Sequence, residues 1–167
     1  MAHVEQEIRR AWTYVGVPEL RSAYDPPFQD VPRIALPYVS VQLSNEGQTT
    51  PRIDSRLCPS RPYCIFPREI FKQIGVAEPS TRGPGAEPPS AVIRARDPER
   101  GELRLILLDL KVFGDDGASL STKARLGIAL ENDVEEPILG SFGFFSAFEV
   151  SFSPRHGIRI RPAASKS

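Results

Sequence analysis

The segment Ala91-Val92-Ile93-Arg94-Ala95-Arg96-Asp97-Pro98-Glu99-Arg100-Gly101-Glu102-Leu103-Arg104-Leu105-Ile106-Leu107-Leu108-Asp109-Leu110-Lys111-Val112-Phe113 reads as two strands about a polar turn. Its second arm is almost continuously apolar from Leu103 to Leu110, as a well-buried strand would be, and Asp97 to Gly101 supplies turn-forming residues. A long hairpin follows from that pattern. Beyond it, Gly114-Asp115-Asp116-Gly117 makes a second turn and Leu126 to Leu130 a further strand.

Working toward the N-terminus, Phe66 to Val76 predicts a short helix: proline stands second, Ile70, Phe71 and Ile74 share a face, and Gly75 stops it. Tyr38 to Leu43 alternates, Asn45-Glu46-Gly47 turns, and Thr49 to Ser55 resumes extended, which together predict a hairpin. The prolines at 18, 26, 27, 32 and 37 make that stretch an extended arm, anchored by Tyr24, Phe28 and Ile34. Val4, Ile8, Ala11, Trp12 and Val15 fall three and four apart, so Val4 to Val15 is expected to be an amphipathic helix. Ala77 to Ser90, rich in proline, glycine and serine, is expected to be a mobile surface loop.

Toward the C-terminus, Ile138-Leu139-Gly140 precedes a short aromatic helix or turn over Phe142 to Phe148. Glu149 to Ser153 and Ile158 to Arg161 then flank a Pro154-Arg155-His156-Gly157 turn. Short strands and tight turns therefore define a mainly β domain with short helices. The expected organisation is an N-terminal helix and proline-rich arm over 1–35, one domain over 36–162, and a disordered tail over 163–167.

Composition narrows the function. The chain has 167 residues, enough for one ordinary domain. Lysine plus arginine equal aspartate plus glutamate at 21 each, which removes the bulk electrostatic case for nucleic acid or an anionic membrane as partner. Proline contributes 17 residues, roughly twice the usual share of about 5%, which argues against a helical bundle. No apolar run approaches the roughly 20 residues of a membrane helix. The acidic opening Met1 to Glu7 lacks the marks of a secretion signal, so a cytoplasmic location is expected, with Cys58 and Cys64 as free thiols. With only His3 and His156 beside those cysteines, no structural zinc site and no cofactor is expected.

Three blocks carry a resemblance. Arg52-Ile53-Asp54-Ser55 ends the first hairpin, Cys64-Ile65-Phe66-Pro67 opens the helix that closes on Ile74-Gly75-Val76, and Pro137-Ile138-Leu139-Gly140-Ser141-Phe142-Gly143-Phe144-Phe145 leads into Phe148 to Phe152. In order and spacing, over roughly residues 36 to 162, they resemble the retropepsin-like aspartic peptidase family in its small single-domain bacterial form. The resemblance implies an acid protease barrel in which two copies each supply one Asp-Ser/Thr-Gly loop to a shared active site. It makes Asp54 the catalytic position, Ser55 the hydroxyl that ties the loops together, and the Asp97 to Gly101 turn the candidate flap. Two adjoining carboxylates cannot both ionise, so one acts as base on water while the other protonates the substrate carbonyl. The implied partners are a second copy of the chain and a peptide or protein substrate.

The sequence departs from the family where it has Arg56 in place of the motif glycine, with about four extra residues before Cys64. A side chain and a permanent charge then stand where a tight turn is required, and a guanidinium beside the pair opposes the shared proton. Two readings follow: an aspartic endopeptidase active as a homodimer, or a catalytically inactive module of that fold kept for dimerisation or peptide binding. Pairing of Arg56 with Asp54 would favour the second.

Other motifs have plainer readings. Asp115-Asp116-Gly117-Ala118-Ser119 is better explained as a hairpin turn than as a second catalytic loop. Neither Cys58 nor Cys64 has a nearby histidine to activate it as a nucleophile. Gly140-Ser141-Phe142-Gly143 lacks the basic residues of a nucleic-acid clamp and reads as core packing. Arg155, Arg159, Arg161 and Lys166 mark the solvent face of the last strand.

Overall fold

The computed structural model describes residues 6–16, 33–76 and 92–164. Its elements are β1 (Ile8–Arg10), β2 (Thr13–Gly16), β3 (Arg33–Leu36), β4 (Tyr38–Asn45), β5 (Gln48–Thr49), β6 (Ile53–Leu57), β7 (Cys64–Ile65), α1 (Arg68–Gln73), β8 (Val92–Asp97), β9 (Gly101–Phe113), β10 (Ser119–Ala129), β11 (Ile138–Leu139), β12 (Phe148–Ser153) and β13 (Gly157–Pro162).

The β9–β10 hairpin is the spine. Leu103 pairs with Ala129 at one end and Phe113 with Ser119 at the other, and the Gly114–Gly117 turn joins the strands. Its even-numbered residues Leu108, Leu110 and Val112 turn inward and are buried. β9 also pairs with β4, from Ser40 opposite Phe113 to Ser44 opposite Asp109, and this contact closes the sheet on itself. The ring runs β4-β6-β11-β7-β10-β9 and returns to β4, a closed barrel of six strands in a mainly β protein. Closure leaves no free edge inside that ring.

The first hairpin turns at Glu46 and Gly47, both at positive φ. β5 and β6 form its return arm, interrupted at Thr50-Pro51-Arg52, where the Thr50 hydroxyl accepts the Leu43 N–H at 3.0 Å. The predicted helix is present as α1 behind Pro67, with Ile70, Phe71 and Ile74 buried against the barrel. The Arg68 guanidinium donates to the carbonyls of Ala129 and Leu130 at 2.9 and 2.6 Å, tying the helix start to the end of β10. Val39, Val41, Leu43, Leu126, Leu139, Phe144 and their neighbours fill the barrel. A smaller cluster of Ile65, Leu103, Leu105, Ala129 and Val134 lies apart from them.

One expectation is corrected. Within the described part of Val4 to Val15 there are two strands and no helix. Ile8 pairs with Ile160 and Arg10 with Ile158, so β1 extends the β12–β13 hairpin into a three-stranded sheet. Trp12 stacks on Phe152 with centroids 5.8 Å apart and donates its indole N–H to the Ser153 carbonyl. The spacing of Ile8 and Trp12 reflects two separate contacts on that hairpin, and tertiary pairing overrides a weak helical period.

Phe142 to Phe148 is a turn, with the Phe148 N–H bonded to the Phe144 carbonyl at 2.9 Å. Most of the predicted arm, with Tyr24 and Phe28, lies outside the described residues, as do the 77–91 stretch and the last residues 165–167. Ile34 falls in β3, paired with Val15 of β2. No helix among the described residues is long and apolar enough to cross a membrane.

Candidate functional site

Asp54 lies within β6, directly opposite Ser40 of β4. Alternation turns Ser55 into the barrel, where it is fully buried and donates its hydroxyl to the Ile53 carbonyl, and turns Asp54 outward with 71% of its side chain exposed. Its Oδ1 meets Nη2 of Arg10 at 3.4 Å, and the same guanidinium reaches Oδ1 of Asp115 at 3.5 Å. Asp115 is a turn residue, as its sequence predicts, and its Oδ2 accepts the Ala11 N–H at 2.7 Å. Arg10 thus bridges two carboxylates from different hairpins.

Arg56 does not pair with Asp54. Its Nη1 lies 3.8 Å from Oε1 of Glu136, an exposed contact of small energetic value. The backbone does not turn after Ser55: β6 runs on to Leu57, with the N–H groups of Arg56, Leu57 and Cys58 bonded to the carbonyls of Pro137, Pro37 and Leu139. The chain leaves the sheet only at Cys58, so the excursion spans Cys58 to Tyr63. That connection contains no carboxylate. A loop at the end of β6 therefore begins with Cys58, four residues beyond Asp54.

A cleft of about 590 Å³ opens at this end of the barrel, lined by Arg56, Cys58, Arg61 and Arg100 together with Asp133 to Glu136. Asp54 is not among its lining residues. Arg61 projects from the excursion to the β8–β9 turn: Nη2 meets Oδ2 of the buried Asp97 at 2.8 Å, and Nη1 pairs with Glu99. Asp97 Oδ2 also accepts the N–H groups of Glu99 and Arg100 at 2.9 and 2.8 Å. The Asp97 to Gly101 turn, the candidate flap, is therefore anchored at its root to the loop behind β6.

Asp133 and Glu136 of the cleft are engaged as well. The Asp133 carboxylate accepts the N–H groups of Arg68 and Val134. Glu136 accepts the Tyr38 hydroxyl at 2.6 Å. Burial, followed by that bond and the adjoining negative charge, pushes the Tyr38 phenol up to about 12 from 10.0. A phenol that holds its proton more tightly folded than unfolded adds stability in full below pH 10, and this is lost as pH rises toward about 12. Tyr38→Phe is expected to flatten the alkaline limb of a denaturation midpoint against pH profile between those values.

The two thiols differ. Cys64 is fully buried; burial pushes it up to about 12, against opposing backbone hydrogen bonds. Its sulfur accepts the Gly140 N–H at 3.3 Å and lies 3.5 Å from the Phe142 carbonyl. Cys58 is half-buried at the cleft and is also raised, chiefly by burial, with Arg56 and Arg61 opposing. Since the thiolate is the reactive form, a disulfide reagent at pH 8 is expected to modify Cys58 more slowly than free cysteine and Cys64 only after unfolding. Two fast equivalents from the folded chain would contradict this.

Comparison of the chain with protein-family models, with curated proteins and with solved structures finds no match.

Proposed function

We propose that the chain is a retropepsin-like domain whose cleft holds an extended peptide without hydrolysing it. The fold half of this reading is supported by the three blocks that carry the resemblance. They stand side by side in the barrel as β6, β11 and β7, with Ile138 opposite Arg56 on one side and Ile65 on the other.

One observation carries the functional half. Asp54, the catalytic position by resemblance, sits within a strand, outside the cleft and ion-paired to Arg10. A shared-proton mechanism needs two free carboxylates in contact, whereas the cleft at the end of β6 offers guanidinium groups, the bonded carboxylates of Asp133 and Glu136, and a single unbonded one, Glu135, among the described residues. Such a surface suits recognition of a main chain and its side chains.

The peptidase reading keeps one supporting fact, the exposure of the Asp54 carboxylate to an approaching second copy. Both readings retain the homodimer as an expectation, measured by sedimentation equilibrium.

Binding is tested by selecting peptides from a randomised display library on the wild-type chain. At least one selected class is expected to lose about ten-fold or more in affinity on Arg56→Glu or Glu136→Lys, both half-exposed rim positions, with folding of each variant checked by circular dichroism because Glu136→Lys also removes the acceptor of the Tyr38 hydroxyl. A selection in which every binder is indifferent to both substitutions, or which yields no binders at all, would overturn the reading.

A further inference from the structure

A second groove, of about 450 Å³, lies on the outer face of the β9–β10 hairpin and is independent of the cleft just described. Tyr63, Leu105, Leu107 and Phe142 form its apolar walls, and Lys123 and Arg125 supply its charge; no described lining residue is acidic. Phe142 is 61% exposed and Leu107 47%, so the expectation that this aromatic segment packs wholly into the core fails at Phe142. Gly140 packs closely on the backbone of Arg61 and Tyr63 and Phe144 is buried in the barrel, and the turn between them leaves the Phe142 ring outward, against Tyr63 at 5.7 Å.

Register extends the surface. Leu107 stands opposite Arg125, while Ile93 of β8 stands opposite Leu105 on the same face and is itself 43% exposed. Large apolar side chains therefore flank one cation across three adjacent strands.

The decisive feature is that cation. Nη1 of Arg125 is shut off from solvent and has no hydrogen-bond partner among the described residues. Lys123, by contrast, is exposed and lies 4.0 Å from Asp109. The Arg125 guanidinium lines the groove without an acidic partner among the described residues, and a carboxylate entering the groove supplies that counter-charge while covering the apolar walls. Charge complementarity thus defines the occupant.

We infer that this groove is a docking site for an extended segment of a partner protein, one that places an Asp or Glu side chain on Arg125 between large apolar side chains seated on Leu107 and Phe142. Spaced side-chain contacts around one fixed cation are the pattern of peptide recognition.

The same display selection tests this inference separately from the cleft. A class of peptides rich in Asp or Glu beside Leu or Phe is expected, losing about ten-fold or more in affinity on Arg125→Gln and on Phe142→Ser while remaining unaffected by Arg56→Glu. Changing the peptide's carboxylate to its amide should cost wild type the same factor and cost Arg125→Gln little. Arg125→Gln removes a charge without a described partner, and Phe142 is a surface residue, so both variants should fold, as checked by circular dichroism. The inference is overturned if every selected peptide follows Arg56→Glu alone, if the Arg125-sensitive class lacks a carboxylate, or if no peptide responds to either groove variant. It is equally overturned if sedimentation shows a dimer that Phe142→Ser breaks, since a second copy would then fill the groove.

Discussion

Asp97→Ala is expected to lower the unfolding free energy by about 3–5 kcal/mol in urea denaturation, because it breaks a buried ion pair from one side. The carboxylate has no solvent exposure and serves three donors through Oδ2: the Arg61 guanidinium and the N–H groups of Glu99 and Arg100. Its removal strands Arg61, whose Nε already has no hydrogen-bond partner among the described residues, and leaves only the exposed Glu99 as counter-charge. It also releases the turn between β8 and β9. Asp97→Asn keeps an oxygen for the backbone donors and loses the charge, so its loss should be smaller. An unchanged midpoint for Asp97→Ala would mean that the link between the β6–β7 excursion and the candidate flap carries no weight.

Gly140→Ala should be nearly as severe, about 3 kcal/mol, by forcing overpacking at a place that cannot yield. A Cβ at this position would overlap the Tyr63 carbonyl and come within 2.7 Å of the Arg61 oxygen, both of them backbone atoms. Relief requires the chain beyond β11 to move away from the excursion, which would disturb the Ser141 N–H bond to the Arg61 carbonyl and the Phe142 N–H bond to the Pro62 carbonyl. β11 is the strand between β6 and β7, so the barrel closure is strained with it. Gly117→Ala is the control. Gly117 has φ of +85° and nothing within 4 Å of a Cβ, so only the left-handed backbone is penalised, by about 1 kcal/mol. Equal effects at the two glycines would refute the steric account.

The parts of the fold that were legible in the sequence are those where one signal decides. Leu103 to Leu110 is too apolar and too well bounded by turns to be anything but a buried strand, and Pro67 with Gly75 brackets α1. The N-terminal strands were not legible, since three residues such as Ile8-Arg9-Arg10 carry no period of their own. The structure of β1 comes from pairing with β13, about 150 residues away in the chain, and that of β2 from pairing with β3.

The site was legible only in part. The Asp54-Ser55 dipeptide is plain, yet its place within a strand depends on how far β6 continues, and that is set by bonds to Pro37, Pro137 and Leu139. Neither the contact of Arg61 with Asp97 nor the seclusion of Arg125 has a local signature, because each depends on strands brought together by barrel closure.

The most direct test of the central claim is cleavage of an unstructured protein by the purified, folded chain from acid to neutral pH, with Asp54→Asn assayed beside it. The account predicts that neither protein cuts, while the wild-type chain still binds selected peptides through Arg56 and Glu136. Cleavage by wild type that disappears in Asp54→Asn would contradict it and make the chain an aspartic peptidase.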